Sequence, residues 1–92
     1  MISESHSHIV IDTTNSSIQA LKANPARYGL VLQNNGANKM YLAFGKPAQA
    51  DATAFNISAG AMVFFDTFTP TREMFVNGTA GDALVIMEAT DQ

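Results

Sequence analysis

The stretch that decides the fold is residues 27–45, which read RYGLVLQNNGANKMYLAFG. Two apolar runs of strand-forming residues flank a cluster of Asn and Gly, a pattern typical of a β-hairpin. The faces of the two runs match when Gln33 lies opposite Lys39, whereas a slip by one residue sets Leu32 against Lys39. This register predicts one buried face of the hairpin, made of Tyr28, Leu30, Leu32, Met40, Leu42 and Phe44.

Short apolar runs separated by turn signals every ~8–12 residues continue along the rest of the chain. Further strands are predicted at residues 8–14, 17–22, 55–57, 61–65, 74–77 and 83–88. For 17–22 a short helix is the alternative, because Ala20 and Leu21 are good helix formers. The pattern predicts an all-β fold, a small antiparallel β-sandwich or barrel of seven or eight short strands, resembling a jelly roll.

Ninety-two residues provide one modest core, since a chain of this size buries roughly 60% of its unfolded surface. Residues 1–7 are polar and without periodicity, so they are expected to form a flexible N-terminal arm. Residues 8–90 are then a single β domain, followed by a short polar tail. The Ala-rich stretch 46–54 is predicted to be an exposed loop that is a plausible place for partner contact.

Two apolar segments lack the alternation of a half-solvated strand. In residues 61–65, Ala-Met-Val-Phe-Phe, both faces are apolar, so one face should join the core and the other needs a neighbour. Residues 83–88 are apolar nearly throughout and are predicted to form a central strand. Charged residues are only 14% of the chain. A fully packed interior and a surface covered by another protein both explain this composition, and self-association is expected, with a trimer favoured.

Charge and hydropathy exclude several classes of function. The net charge is −3, and the five Lys and Arg form no basic run, which argues against nucleic-acid binding. No segment approaches the ~20 apolar residues that span a bilayer. The first residues lack the features of a signal peptide, so synthesis in the cytoplasm is expected.

Catalytic and metal-binding patterns are missing from the sequence. Cysteine is absent, and His6 and His8 lack the further ligands that zinc requires. The acidic residues are scattered, and only His6 and His8, at the end of the expected arm and directly after it, could activate a Ser or Thr. No enzyme activity, metal or cofactor is therefore expected.

A resemblance suggests a role. The pattern Arg-x-Gly-Leu-Val-Leu-Gln-Asn-x-Gly-x-Asn-x-x-Tyr-Leu-x-Phe-Gly in 27–45, with Ile-Ser-Ala-Gly-Ala at 57–61 and Gly-Asp-Ala-Leu-Val-Ile at 81–86, resembles small virion proteins of tailed bacteriophages. These are of the capsid decoration or head-fibre type, and the resemblance covers roughly residues 27–88.

The resemblance implies a phage structural protein that binds the major capsid protein and stabilises the shell, as a decoration or cement protein located in the virion. A tail or fibre subunit is one alternative. A carbohydrate-binding module is another, since Tyr28, Tyr41 and Phe68 are candidates for stacking on sugars. The side chains expected to contact a partner are His6, His8, Phe64, Phe65 and Phe68.

Overall fold

The computed structural model describes residues 2–51, 53–65 and 68–91. Parts of the predicted arm, loops and tail lie outside these residues: Met1, Ala52, Asp66, Thr67 and Gln92. The strands are β1 (Ile2–Val10), β2 (Ile18–Leu21), β3 (Arg27–Asn34), β4 (Met40–Phe44), β5 (Phe55–Ile57), β6 (Met62–Phe65), β7 (Met74–Asn77) and β8 (Ala83–Asp91). The described residues contain no helix, so none that is long and apolar enough to cross a membrane.

The eight strands form two four-stranded antiparallel sheets in jelly-roll order. One sheet has the order β1-β8-β3-β6 and the other the order β2-β7-β4-β5. Among the described strands, only β4 and β5 are both consecutive and paired with each other. The prediction of a small, jelly-roll-like antiparallel sandwich is therefore confirmed, and the helical alternative for 17–22 is wrong.

The predicted hairpin between β3 and β4 is wrong, because the two strands lie in different sheets. β3 pairs with β8 and β6, whereas β4 pairs with β7 and β5. The predicted faces are nevertheless correct for Leu30, Leu32, Met40 and Leu42, which are at most 2% exposed. These side chains meet across the core instead of side by side in one sheet. Tyr28 is the exception at 48% exposed, since the register of β3 shifts between Arg27 and Gly29.

Asn34 directs the chain out of one sheet and into the other. Its buried Nδ2 donates to the carbonyl oxygens of Asn38 (2.8 Å) and Ile57 (2.9 Å), and its Oδ1 accepts from the amide of Gly36 (3.0 Å). Gly36 is needed here for close approach and not for a left-handed turn. A Cβ at this position would lie 2.5 Å from the Cβ of Asp82, whose carboxylate accepts from the amides of 37 and 38.

The segment expected to be a flexible arm is a strand. β1 begins at Ile2 and pairs with β8 without interruption, from Ile2 opposite Asp91 to Val10 opposite Ala83. Ladder hydrogen bonds use the backbone alone, so a polar segment can pair wherever a neighbouring strand is long enough. β8 runs three residues beyond its predicted end at Glu88 and supplies this partner. It is also a central strand, as predicted.

A single core lies between the two sheets. Its fully buried members are aliphatic side chains and methionines from both sheets: Ile11, Leu30, Leu32, Met40, Leu42, Ile57, Met74, Val76, Leu84 and Ile86. The loops after β2 and before β7 are tied to the first sheet by Arg27, which is 3% exposed. Its guanidinium bonds Glu88 and three backbone carbonyls, so its charge is paired and its donors are used.

A candidate interaction surface

The side of the β1-β8-β3-β6 sheet that faces away from the core is called here the outer face. Strand alternation brings one row of side chains across all four strands of this face. His6 on β1 lies opposite Met87 on β8, Met87 opposite Val31 on β3, and Val31 opposite Phe64 on β6. The row is therefore apolar over three strands and ends in an imidazole at the β1 edge.

A second row lies beside the first. His8 is opposite Val85, Val85 opposite Gln33, and Gln33 opposite Met62. On the other side of the first row, Glu4, Ala89 and Gly29 form a third. With strands ~4.8 Å apart and rows ~7 Å apart, the three rows cover roughly 400 Å².

The outer face is apolar on β8, β3 and β6 except for Gln33, carries polar side chains on β1, and is open to solvent. Met62 is 50% exposed, Phe64 61% and Met87 51%. A depression of about 260 Å³ lies between the first two rows. Its lining is His6, Val31, Gln33, Met62, Val85 and Met87. Contiguous exposed apolar side chains on soluble proteins mark interaction sites. The apolar part of this face consists of Val31, Met62, Phe64, Val85 and Met87.

The outside of the second sheet is partly covered by its own chain. Segment 46–51, which follows β4, lays Ala48 against that sheet, where the residue is 1% exposed. The amide of Ala48 donates to Ser17 Oγ at 2.9 Å, and its carbonyl oxygen accepts from Asn77 Nδ2 at 3.1 Å. The segment 46–54, predicted to be an exposed loop, is therefore held at Ala48 by two hydrogen bonds. Of the two sheets, only the first leaves its outer face without such a cover in the described residues.

The side chains predicted to contact a partner are partly brought together. His6, His8 and Phe64 all lie on the outer face. Phe65 points to the inner side and packs edge-on against Phe44, with ring centroids 5.8 Å apart. Phe68 is 71% exposed in the loop after β6 and contacts Phe65, with centroids 6.4 Å apart.

Sequence reasoning missed the other members of the outer face, chiefly Val31, Met62 and Met87. A signal for them was present, because alternate residues of two apolar strands must point away from the core. The missing information was which strands are neighbours, and only the pairing of β8 with β3 and of β3 with β6 supplies it.

Titratable groups near the outer face lie on β1 and at the end of β8: Glu4, His6, His8 and Asp91. Within the described ranges no three His, Asp or Glu side chains are grouped to hold a metal ion. On the covered side of the molecule, the pKa of Asp51 lies below its usual 3.8, because the hydroxyl and the amide of Thr53 donate to its carboxylate. Asp51 is solvent-exposed, and this hydrogen bonding is typical of a loop turn.

The aromatic residues considered for sugar stacking do not share a surface. Tyr28 is on β3 and Tyr41 on β4, in different sheets. Tyr41 is half-buried and lines a depression of about 250 Å³ together with polar side chains that include Thr14, Asn15 and Lys39.

Comparisons with known proteins identify a fold and not a family. The sequence matches no protein-family model and no curated protein. The fold is similar to a cupin-2 domain protein of Shewanella frigidimarina, with a TM-score of 0.54 and 10% identity over 91% of this chain and 68% of that one. It is also similar to an RmlC-like cupin of Methanocaldococcus jannaschii with a double-stranded β-helix fold (TM-score 0.52, 16% identity, 95% and 68% covered).

A third similar structure is described as Bacillus endospore appendages that form disulfide-linked pili. Its TM-score is 0.53 at 12% identity, and the match covers 97% of this chain and 87% of that one. At these identities the likenesses concern the fold alone, and the fold hosts many unrelated functions.

Proposed function

We propose that this protein is a structural component of a tailed-phage virion that binds the capsid surface through the outer face and stabilises the shell without catalysis. The observation that carries the proposal is the unpartnered outer face, with Met87 exposed on its central strand β8 and Phe64 exposed on its edge strand β6. The assignment to a phage virion rests on the sequence resemblance in residues 27–45, 57–61 and 81–86.

Binding through a flat apolar face suits a lattice. The face of one chain is about half the ~800 Å² that each partner buries in a standard interface, so a single contact is weak. Many copies on a repeating shell can bind jointly, and each contact then adds buried area at a seam between capsid subunits. Residues 2–7 already form part of an edge strand of the sheet, so they need no shell contact to become ordered.

The test uses shells of the phage that encodes the sequence, prepared without this protein. Purified protein is added, and bound copies per shell and the shell rupture temperature are measured. Wild-type protein is expected to bind and to raise the rupture temperature. Phe64→Ser should weaken binding at least tenfold, because an exposed aromatic ring that becomes buried in an interface contributes a large share of the affinity.

Phe55→Ser is the matched control. Phe55 is 65% exposed, close to the 61% of Phe64, and also lies on an edge strand, but in the other sheet. It should bind like wild type. Equal binding by both variants would show that the outer face is not the docking surface. No bound wild-type copies would reject the decoration role and favour a tail or fibre subunit.

A carbohydrate-binding role is the second candidate, supported by the depression beside Tyr41. An aromatic ring next to Asn15 and Lys39 offers one stacking face and hydrogen-bonding groups, the combination that small polar ligands use. A glycan array tests it. Binding that Tyr41→Ala abolishes and Phe64→Ser leaves intact would favour this role, and an array without any signal would reject it.

A further inference from the structure

The free edges of the two sheets differ greatly in length. β6 has four residues, β5 has three, and β2 has four with a register shift between Gln19 and Leu21. β1 has nine residues, and it is the outermost strand of its sheet. Short or irregular edges prevent pairing with other chains, so three of the four edges have this protection and β1 does not.

β1 also lacks most other features that block an edge strand, and Glu4 is its one Asp, Glu, Lys or Arg residue. Its sequence, ISESHSHIV, contains no Pro and no Lys. It pairs with β8 in one continuous register with no bulge, so the strand is regular over its whole length. Residues 3–8 are all exposed. The side of β1 away from β8 therefore presents a row of backbone amides and carbonyls ready for another strand.

We propose that this edge pairs with β1 of a second copy of the chain, antiparallel across a two-fold axis. The contact joins two four-stranded sheets into one sheet of eight strands. It is isologous and closed, because the same edge is used by both copies and none is left over for a third. The pairing stands on the geometry of β1 and does not depend on the proposed function.

The sequence of β1 selects a register for this pairing. When all nine residues pair, His6 lies opposite His6 of the second copy at the two-fold axis. Glu4 then lies opposite His8 of the second copy, and symmetry makes this pair twice. A carboxylate and an imidazole placed directly across a strand pair can hydrogen-bond, because the imidazole carries an N–H donor and the carboxylate accepts. Moving the register by two residues in either direction pairs only seven residues, and it sets Glu4 opposite Val10 or opposite His6. The full register is therefore favoured because it forms the most ladder hydrogen bonds.

The dimer has a consequence for docking, which does rest on the proposed function. A two-fold axis perpendicular to the sheet keeps both outer faces on the same side. Two adjacent faces of roughly 400 Å² give roughly 800 Å², the area that each partner buries in a standard interface. The dimer would therefore be the unit that binds the shell. A trimer, the state favoured by the sequence, would need a different contact.

Single cysteines test the register, since the 92 residues contain none. His6→Cys places two thiols at the two-fold axis. Directly opposite residues have Cα atoms ~4.5–5.5 Å apart, within the range that a disulfide spans. Under mild oxidation this variant should run as a covalent dimer on a non-reducing gel. In Glu4→Cys or His8→Cys alone the two thiols are four residues apart along the strand, ~14 Å, and should not link.

A mixture of Glu4→Cys and His8→Cys should, in contrast, give a covalent heterodimer. Failure of His6→Cys to link would overturn the proposal. Equal linking of all three single variants would also overturn it, because random collisions and not a fixed register would explain the result.

Sedimentation of the wild-type protein, which has no cysteine, and of charge variants gives a second measurement. Wild type is expected to be a dimer. His6→Lys opposes two ammonium groups at the axis and should weaken the dimer at least tenfold. Gln19→Lys makes the same charge change on the β2 edge and should leave the dimer intact. A wild-type monomer at high micromolar concentration, or a trimer, would overturn the proposal. A dimer that fails to bind shells would support it and reject the docking role.

Discussion

Arg27 Nε donates to Glu88 Oε2 at 2.5 Å, and the Arg27 side chain is fully buried. The other guanidinium nitrogens donate to the carbonyl oxygens of Pro70, Arg72 and Lys22. One side chain thereby holds the loop after β2, the loop before β7 and strand β8 together. Loss of this side chain leaves the Glu88 carboxylate and three carbonyls without their main partner, so the end of the sandwich depends on it.

Arg27→Ala is expected to reduce the free energy of unfolding by about 3–5 kcal/mol, the usual cost of removing one member of a buried ion pair. Arg72→Ala is the matched control. The Arg72 side chain is 69% exposed and lies 3.5 Å from Glu73, so its loss should cost less than ~1 kcal/mol. Urea unfolding measures both. Equal losses would mean that the buried pair contributes no more than the exposed one.

Leu42→Ala is expected to cost about 2–5 kcal/mol, because Leu42 is 2% exposed and its removal leaves a cavity between the sheets. Met87→Ala removes a side chain of similar size from the outer face, where it is 51% exposed. It should cost less than ~1 kcal/mol in the isolated protein. A loss below ~1 kcal/mol for Leu42→Ala would contradict its position in the core.

Asn34→Ala should destabilise the fold by more than ~2 kcal/mol, since each buried polar group left without a partner costs about 1–3 kcal/mol. The amide of Gly36 and the carbonyl of Ile57 are among the groups affected. Asn35→Ala, one residue further along, changes an exposed side chain and should cost less than ~0.5 kcal/mol. Thermal unfolding of the two variants makes the comparison. Similar melting temperatures would show that the connection from β3 in one sheet to β4 in the other does not need Asn34.

Asn77→Ala is expected to loosen segment 46–51 without unfolding the sandwich. The Ala48 carbonyl loses the donor that holds it, so local opening becomes easier. Exchange of the Ala48 amide, measured by NMR, should accelerate at least tenfold. Asn56→Ala, an exposed change on β5, should leave that rate unaltered. An unchanged rate in Asn77→Ala would mean that other contacts hold the segment.

Local patterning in the sequence was enough to predict the fold class and most strands. Leu30, Leu32 and Leu42 alternate along their strands with less buried residues. This alternation directs them to the core regardless of which strands lie beside them. Apolar strands such as β7 were located for the same reason. The apolar content of both faces of β6 predicted that its second face needs a neighbour, and in the described residues Met62 and Phe64 on that face are exposed.

Strand partners were decided only by the tertiary structure. Asn35 and Gly36 read as a hairpin turn, but Asn34 and Asp82 bind that loop and send the chain into the opposite sheet. Residues 1–7 were read as an arm because their side chains are mostly polar, although the backbone of β1 pairs with β8 from end to end. Side-chain patterns report which way a residue faces. Which strands become neighbours depends on backbone hydrogen bonds and buried polar contacts between residues far apart in the chain, and the outer face exists only because β8, β3 and β6 lie side by side.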